Sequence, residues 1–178
     1  MKYTTVFHLI AEEFKKAKIQ CVLIGGFAVN YYKVSRHTAD VDFLISEEDF
    51  PKVRDLLEKA GYRLKIFEKI FTRFISDDFH LMDVDFLFVD GNTLSQIVQE
   101  GEKIQIIGKE FIVPSLEHLI ALKLHAIRFN PKNRGYRDLP DIIDLIRINK
   151  INAKTERFKN LCLKYGTREL YDKILESC

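Results

Sequence analysis

The chain has little of what marks most specialised protein classes. Only three of its 178 residues are cysteine, and Cys21, Cys162 and Cys178 lie far apart with no C-x-x-C pair. That excludes a zinc ribbon or a thioredoxin-type motif, and the odd count points to reduced thiols in a cytoplasmic setting. Four prolines and eight glycines are too few for collagen-like or proline-rich material. No stretch reaches the roughly 18 consecutive apolar residues that a membrane span needs, so no membrane partner is expected. The opening Met1-Lys2-Tyr3-Thr4-Thr5 lacks the apolar run of a signal peptide. The five histidines show no H-E-x-x-H spacing, and no G-x-x-x-x-G-K-[ST] is present, which leaves out zincin and P-loop chemistry. The net charge is only +2, unlike a histone-like protein or an acidic tail.

What is present is the composition of a folded globular chain, 47% hydrophobic and 30% charged. Hydrophobic spacing predicts a helix over 4–18, a strand over 20–24, a short helix over 27–32 and a strand over 41–45. Ser46 is the expected N-cap of a helix running to Ala60, which Gly61 ends. Strands are expected over 62–67, 70–76 and 79–89, the last two joined by a hairpin at Asp77-Asp78. A helix near 93–100 and a hairpin near 103–113 follow. After Pro114 the pattern turns helical, near 115–128, 137–148, 154–164 and 167–176. The chain therefore divides into an α/β part, 1–113, and a helical part, 114–178, packed on it. The fold class is α/β (α+β), a small mixed β-sheet flanked by helices with a C-terminal helical segment closing the site.

The chemistry concentrates in two stretches. In the first, the strand Leu23-Ile24 ends in Gly25-Gly26, and Arg36-His37-Thr38-Ala39-Asp40-Val41-Asp42 follows. Glycines after a strand allow close approach of a phosphate to backbone N–H groups. Asp40 and Asp42, two apart on a strand, project from one face. Adjacent carboxylates repel, and a divalent cation is one device that stabilises the pair. The second stretch is Met82-Asp83-Val84-Asp85-Phe86-Leu87-Phe88, with Asp83 and Asp85 on one face and Val84, Phe86 and Phe88 on the other. Were its strand beside that of Asp40 and Asp42, three or four carboxylates would converge and could hold one or two Mg²⁺ for nucleotidyl transfer.

Gly-Gly, a spacer of about a dozen residues, Arg-x-Thr-x-Asp-x-Asp and a later strand aspartate resemble the minimal nucleotidyltransferase fold of the DNA-polymerase-β-like superfamily. The nearest flavour is the small bacterial group that includes AbiEii-type toxins and lincosamide nucleotidyltransferases. The resemblance covers residues 20–90 well, and 119–142 more loosely. It implies that Asp40 and Asp42 hold Mg²⁺ (or Mn²⁺) with an NTP such as ATP, and that Asp85 is the third acid, a metal ligand that completes the second metal site and helps activate the acceptor, Asp83 being the alternative. It places Gly25, Gly26, Arg36 and Thr38 around the phosphates. Many members carry Gly-Ser where this chain has Gly25-Gly26. The grip lost with that hydroxyl falls to backbone N–H groups, Arg36 or Lys123. The implied reaction moves an NMP to an acceptor hydroxyl and releases pyrophosphate, and the resemblance admits a toxin with a partner antitoxin. A glycosyltransferase using D-x-D, a non-catalytic nucleotide-binding module and an antibiotic-type small-molecule transferase are the competing readings.

Lys123 shares its helix face with Leu116, Leu119, Ile120 and Ile127. Such a lysine either snorkels or meets an anion, either the triphosphate or the catalytic acids. On that second reading, Lys123→Met leaves folding intact and raises the NTP requirement. Asp138, Asp141 and Asp144 read as ion-pairing residues, with Arg128 as a candidate partner. The Phe and Tyr residues read as core, with no Arg-interleaved aromatic platform. Charge is divided unevenly: residues 1–122 carry a net −4, whereas 123–168 hold 12 basic and 4 acidic side chains, a net +8. That segment reads as a solvated face or as a binding face for a polyanion such as tRNA or another RNA acceptor.

Overall fold

The computed structural model describes residues 3–178; Met1 and Lys2, part of the opening segment read above for a signal peptide, lie outside them. The chain forms two compact units. One comprises the residues up to Ala28 and His37–Ser115; the other comprises Val29–Arg36 and Leu116–Cys178. Val29–Arg36 thus group with the helical residues that follow them only some eighty positions later.

The first unit holds a five-stranded mixed sheet. Its strands are β1 (Cys21–Ile24), β2 (Asp40–Ser46), β3 (Tyr62–Phe67), β4 (Phe71–Ser76) and β5 (Asp83–Val89), in the spatial order β1-β2-β5-β4-β3. Only β2 and β5 run parallel; the other neighbours are antiparallel. Strand alternation puts Val41, Phe43 and Ile45 on one face with Val84 and Phe86, all fully buried. Helix α1 (Val6–Ala17) contributes to this core through Phe14, whose ring lies 6.1 Å from that of Phe86, while Phe43 stacks on Phe86 at 6.0 Å. Thr5 caps α1 by accepting from the His8 N–H, and Lys18 ends it in the left-handed region, φ 55°. The acids of β2 and β5 are left on the opposite face.

Two local features of this unit differ from the sequence expectation. Ser46 is the last residue of β2 rather than a helix cap: a 3-10 turn over Glu47–Asp49 intervenes before α3 (Phe50–Lys59), which starts with a proline in its first turn. The Ser46 hydroxyl is buried and has no hydrogen-bond partner among the described residues. Strand β5 begins at Asp83, not at 79. Asp78 accepts from the His80 N–H (3.0 Å), and Leu81 donates to the Asp78 carbonyl (2.9 Å), so 77–82 is a turn that leaves Phe79 90% exposed. The unit is completed by α4 (Gly91–Gln99), capped by Asp90, and a separate hairpin of β6 (Glu102–Ile106) and β7 (Lys109–Val113).

In the second unit α5 (Leu116–Phe129), α6 (Pro131–Ile148), α7 (Glu156–Tyr165) and α8 (Arg168–Ser177) share a core that includes Leu119, Leu124, Ile142, Leu145 and Ile174. Helix α6 starts at Pro131, six residues before the expected 137. Proline fits the first helical turn, where its missing N–H has no partner to lose, and Asn130 caps the helix by accepting from the Asn133 N–H.

Candidate functional site

Parallel pairing of β2 with β5 sets Asp40 opposite Asp83 and Asp42 opposite Asp85. Four carboxylates therefore occupy one face of two adjacent strands, about 4.8 Å apart between chains. Asp85 is buried, whereas Asp40, Asp42 and Asp83 are partly exposed.

The two glycines act on this cluster directly. Gly25 (in the short helix α2, Gly25–Tyr31) has φ +62°, and a Cβ there would fall 1.9 Å from the Asp42 Oδ2. A Cβ on Gly26 would fall 2.7 Å from the Thr38 Cβ and 2.8 Å from its Oγ1. The space of the missing side chains is thus taken by Asp42 and Thr38. Thr38 in turn donates from its hydroxyl to the Asp40 carbonyl at 2.9 Å, with the Asp40 Oδ1 at 3.3 Å. Gly25, Gly26 and Thr38 fix the entry of β2 and, with it, the positions of Asp40 and Asp42.

Sequence reasoning missed Arg73. It lies on β4 opposite Asp85 in the strand register. Its Nε and Nη2 donate to the two oxygens of Asp85 at 2.6 and 2.5 Å, and Nη2 also reaches the Asp40 Oδ2 at 3.0 Å. The hydrogen bonds to Asp85 raise the guanidinium's pKa above its ordinary value, with burial opposing and the charges of Asp85, Asp40 and Asp83 adding to the rise. The available signal was a lone charge in the apolar strand Phe71-Thr72-Arg73-Phe74-Ile75. Asp83 is held differently, accepting from the Ser76 N–H at 3.3 Å.

Arg36 and Lys123 belong to the second unit and meet there. Lys123, 6% exposed, donates to the Asp138 Oδ1 at 2.8 Å and the Asp141 Oδ2 at 2.6 Å, and the Arg36 guanidinium also pairs with the Asp141 Oδ2. Asn30 clasps the Arg36 backbone on both sides, accepting from its N–H at 2.7 Å and donating to its carbonyl at 2.9 Å. Asp138 and Asp141 are thereby buried rather than surface acids. Arg128 does not serve them; it donates to the Lys164 carbonyl at 3.2 Å. The Asp138 Oδ2 has no hydrogen-bond partner among the described residues, and the Arg134 Nη1 lies 3.7 Å from it. Lysine in an apolar stripe has met an anion, as its chemistry demands, and that anion is protein.

The aromatic residues also depart from expectation. Phe129 and Tyr136 are 67% and 72% exposed in a stretch, 118–137, that contains no acidic residue. His125 packs on Phe129 with 4.6 Å between ring centres, and the Arg128 guanidinium lies 5.7 Å from the Phe129 ring. Lys132 and Arg137 are exposed alongside them.

A divalent cation is the group that the acid cluster implies. The carboxylate oxygens of Asp40, Asp42 and Asp85 are the hard donors that Mg²⁺ or Mn²⁺ takes, and the donor set fits such an ion. Among the described residues, however, no three Asp, Glu, His or Cys side chains form a ready-made metal cage. Both oxygens of Asp85 and one of Asp40 are hydrogen-bonded to the Arg73 guanidinium.

A family model described as uncharacterised nucleotidyltransferase matches residues 1–178. No curated protein sequence matches the chain. Among solved structures, the antibiotic-resistance factor ANT(2'')-Ia superposes with a TM-score of 0.65 at 16% identity, covering 95% of this chain and 92% of its own. The lincosamide antibiotic adenylyltransferase LnuA gives 0.56 at 16% identity, covering 79% and 94%. An antigenic nucleotidyltransferase-like protein from Paracoccidioides brasiliensis gives 0.56 at 17% identity, covering 97% and 91%. At these identities the likeness is one of fold.

Proposed function

The chain belongs to the nucleotidyltransferase family described above, and from that premise we propose that it moves a nucleoside monophosphate from an NTP to an acceptor hydroxyl, releasing pyrophosphate, with Mg²⁺ or Mn²⁺ as the cofactor. The observation that carries this reading is the strand register pairing Asp40 with Asp83 and Asp42 with Asp85 on one face. Four acids on one face beside the Arg73 guanidinium concentrate negative charge, and adjacent carboxylates repel. Bound there, a divalent cation would neutralise charge developing on the transferred phosphate and its leaving group. Asp40 and Asp42 would hold it, set by Thr38 and Gly25. Asp85, steadied by the Arg73 fork, would accept the proton of the attacking hydroxyl. Arg36 and Lys123 both bind Asp141 in the structure, Arg36 through one nitrogen of its guanidinium.

The acceptor we favour is RNA, tRNA included. The basic segment 123–168 supports this, since two of its four acids, Asp138 and Asp141, are engaged internally while Arg128, Lys132 and Arg137 stay exposed along with Phe129 and Tyr136. Positive side chains for phosphates and aromatic rings for bases are what a single strand requires. The test is incubation with each α-labelled NTP, Mg²⁺ and either total RNA or a panel of small hydroxylated antibiotics. Label in RNA supports the reading, and toxicity on expression that needs Asp42 would extend it to a toxin with a partner antitoxin. Label in the antibiotics moves the acceptor to small molecules, and no label with any NTP overturns catalysis.

A further inference from the structure

One guanidinium ties together two strands' worth of carboxylates. From β4, Arg73 forks onto both oxygens of Asp85 on β5 and reaches across to a single oxygen of Asp40 on β2. The two attachments are unequal. The fork is bidentate, short, and made to a carboxylate that is 5% exposed; the contact with Asp40 is a single bond at 3.0 Å to one that is 27% exposed. A planar fork matched to a carboxylate is the strongest arrangement arginine makes, whereas a lone solvent-accessible contact exchanges readily. The rest of β4 is uncharged, so the arginine answers no need of its own strand.

We propose that Arg73 is a positioning residue that serves as a built-in counter-cation: it spans Asp40 and Asp85 when no divalent ion is bound, yields Asp40 when one arrives, and keeps its fork on Asp85 throughout. The inference rests on the reading of Asp40 and Asp42 as the cation-binding acids. Its first consequence is competition, because the ion and the guanidinium would draw on the same Asp40 carboxylate. Its second is stability without the ion, since the arginine offsets the repulsion that the bare acids would feel. Its third is that charge alone does not suffice: a lysine at this position supplies a point charge but no fork.

The test uses the full chain and Mn²⁺ alone, without nucleotide. Mn²⁺ affinity is read by titration calorimetry and by water-proton relaxation for the wild type, Arg73→Met and Arg73→Lys, with melting temperatures in EDTA and in saturating Mn²⁺. Arg73→Met should bind Mn²⁺ roughly tenfold more tightly than wild type, the size of a modest coupling between two ligands of one site. Its melting temperature should depend on Mn²⁺ far more than that of the wild type, with Arg73→Lys between them. Equal or weaker Mn²⁺ binding by folded Arg73→Met overturns the proposal, and so does an absence of Mn²⁺ binding in every variant. If Arg73→Met does not fold, the arginine Nε–H resonance of the wild type decides. Persistence of this signal on titration with diamagnetic Mg²⁺ supports a retained fork, and its loss overturns it. Because no transfer is measured, a failed activity assay and a failed binding assay point to different errors. Nucleotidyl transfer without the Arg73 effect refutes only the counter-cation, and the Arg73 effect without transfer refutes only the reaction.

Discussion

Both units enclose a cluster of acids held by cations, and the two clusters are built on opposite principles. In the helical unit, Asp138 and Asp141 are met by Lys123 and Arg36, with Arg134 nearby, and Lys123 and both aspartates are nearly sealed from water. Charge is balanced, and the group behaves as a structural rivet. In the sheet unit, Asp40, Asp42, Asp83 and Asp85 share one face, Arg73 bridges Asp40 and Asp85, and all but Asp85 are reached by solvent. Removing one partner from a balanced, closed cluster leaves a buried charge unpaired, whereas acids crowded on an open face repel one another unless a cation stands among them. The difference separates two sets of aspartates that look alike in composition.

The largest expected effect that sharpens this contrast is at Asp42. Asp42→Asn should lower transfer by at least about a hundredfold, the kinetic equivalent of several kcal/mol of lost charge stabilisation. Its melting temperature should stay equal or rise, because a repelling charge is gone. Lys123→Met should do the reverse. Removing the ammonium takes away the hydrogen bond to buried Asp138, leaves Asp141 with Arg36 alone, and should cost about 3–5 kcal/mol in denaturant unfolding. The protein that remains folded should keep its KM for NTP. This reverses the expectation from sequence that folding would be intact and the NTP requirement raised; unchanged stability with a raised KM would erase the distinction between the clusters. Gly25→Ala should come next. Its left-handed backbone alone costs an alanine about 1–2 kcal/mol, and the new Cβ displaces the Asp42 carboxylate, so stability and transfer should fall together. Smallest is Asp83→Asn, expected to slow transfer by less than about tenfold, that is, by under about 1.4 kcal/mol. Asp83 is held by the Ser76 N–H rather than by the Arg73 fork. A larger loss than that of Asp85→Asn would make Asp83 the third acid.

The sheet's central pair was legible because its signal is local. Alternating acids and apolar residues in Asp40–Ile45 and Asp83–Phe88 show which residues share a face, whatever the partner strand. The start of β5 was not legible: Phe79 and Leu81 look like strand residues, and only the turn closed by Asp78 shows them to be outside it. Arg73 was invisible for a different reason. Its meaning depends on the neighbour that β4 acquires in the sheet, and strand order is not written in any one segment. Lys123 lies between these cases. Its apolar face implied burial with an anion, but Asp138 and Asp141 come from another helix, and the sequence offered the nucleotide as readily as the protein. At Gly25 and Gly26 the sequence suggests room for a phosphate at the backbone, and only the folded structure shows Asp42 and Thr38 in the space of their missing side chains. Phe129 and Tyr136 read as core because aromatic residues usually are, and only their exposure among basic residues sets them apart.

The central claim is that the open, acid-rich face of β2 and β5 performs the transfer while the sealed cluster does not. The most direct measurement is pyrophosphate release from each NTP, in Mg²⁺ and in EDTA, by the wild type and Asp42→Asn side by side with a competent acceptor. The account predicts release by the wild type in Mg²⁺ in step with acceptor labelling, none in EDTA, and a folded Asp42→Asn that releases at least about a hundredfold less. Release by Asp42→Asn at the wild-type rate would contradict it.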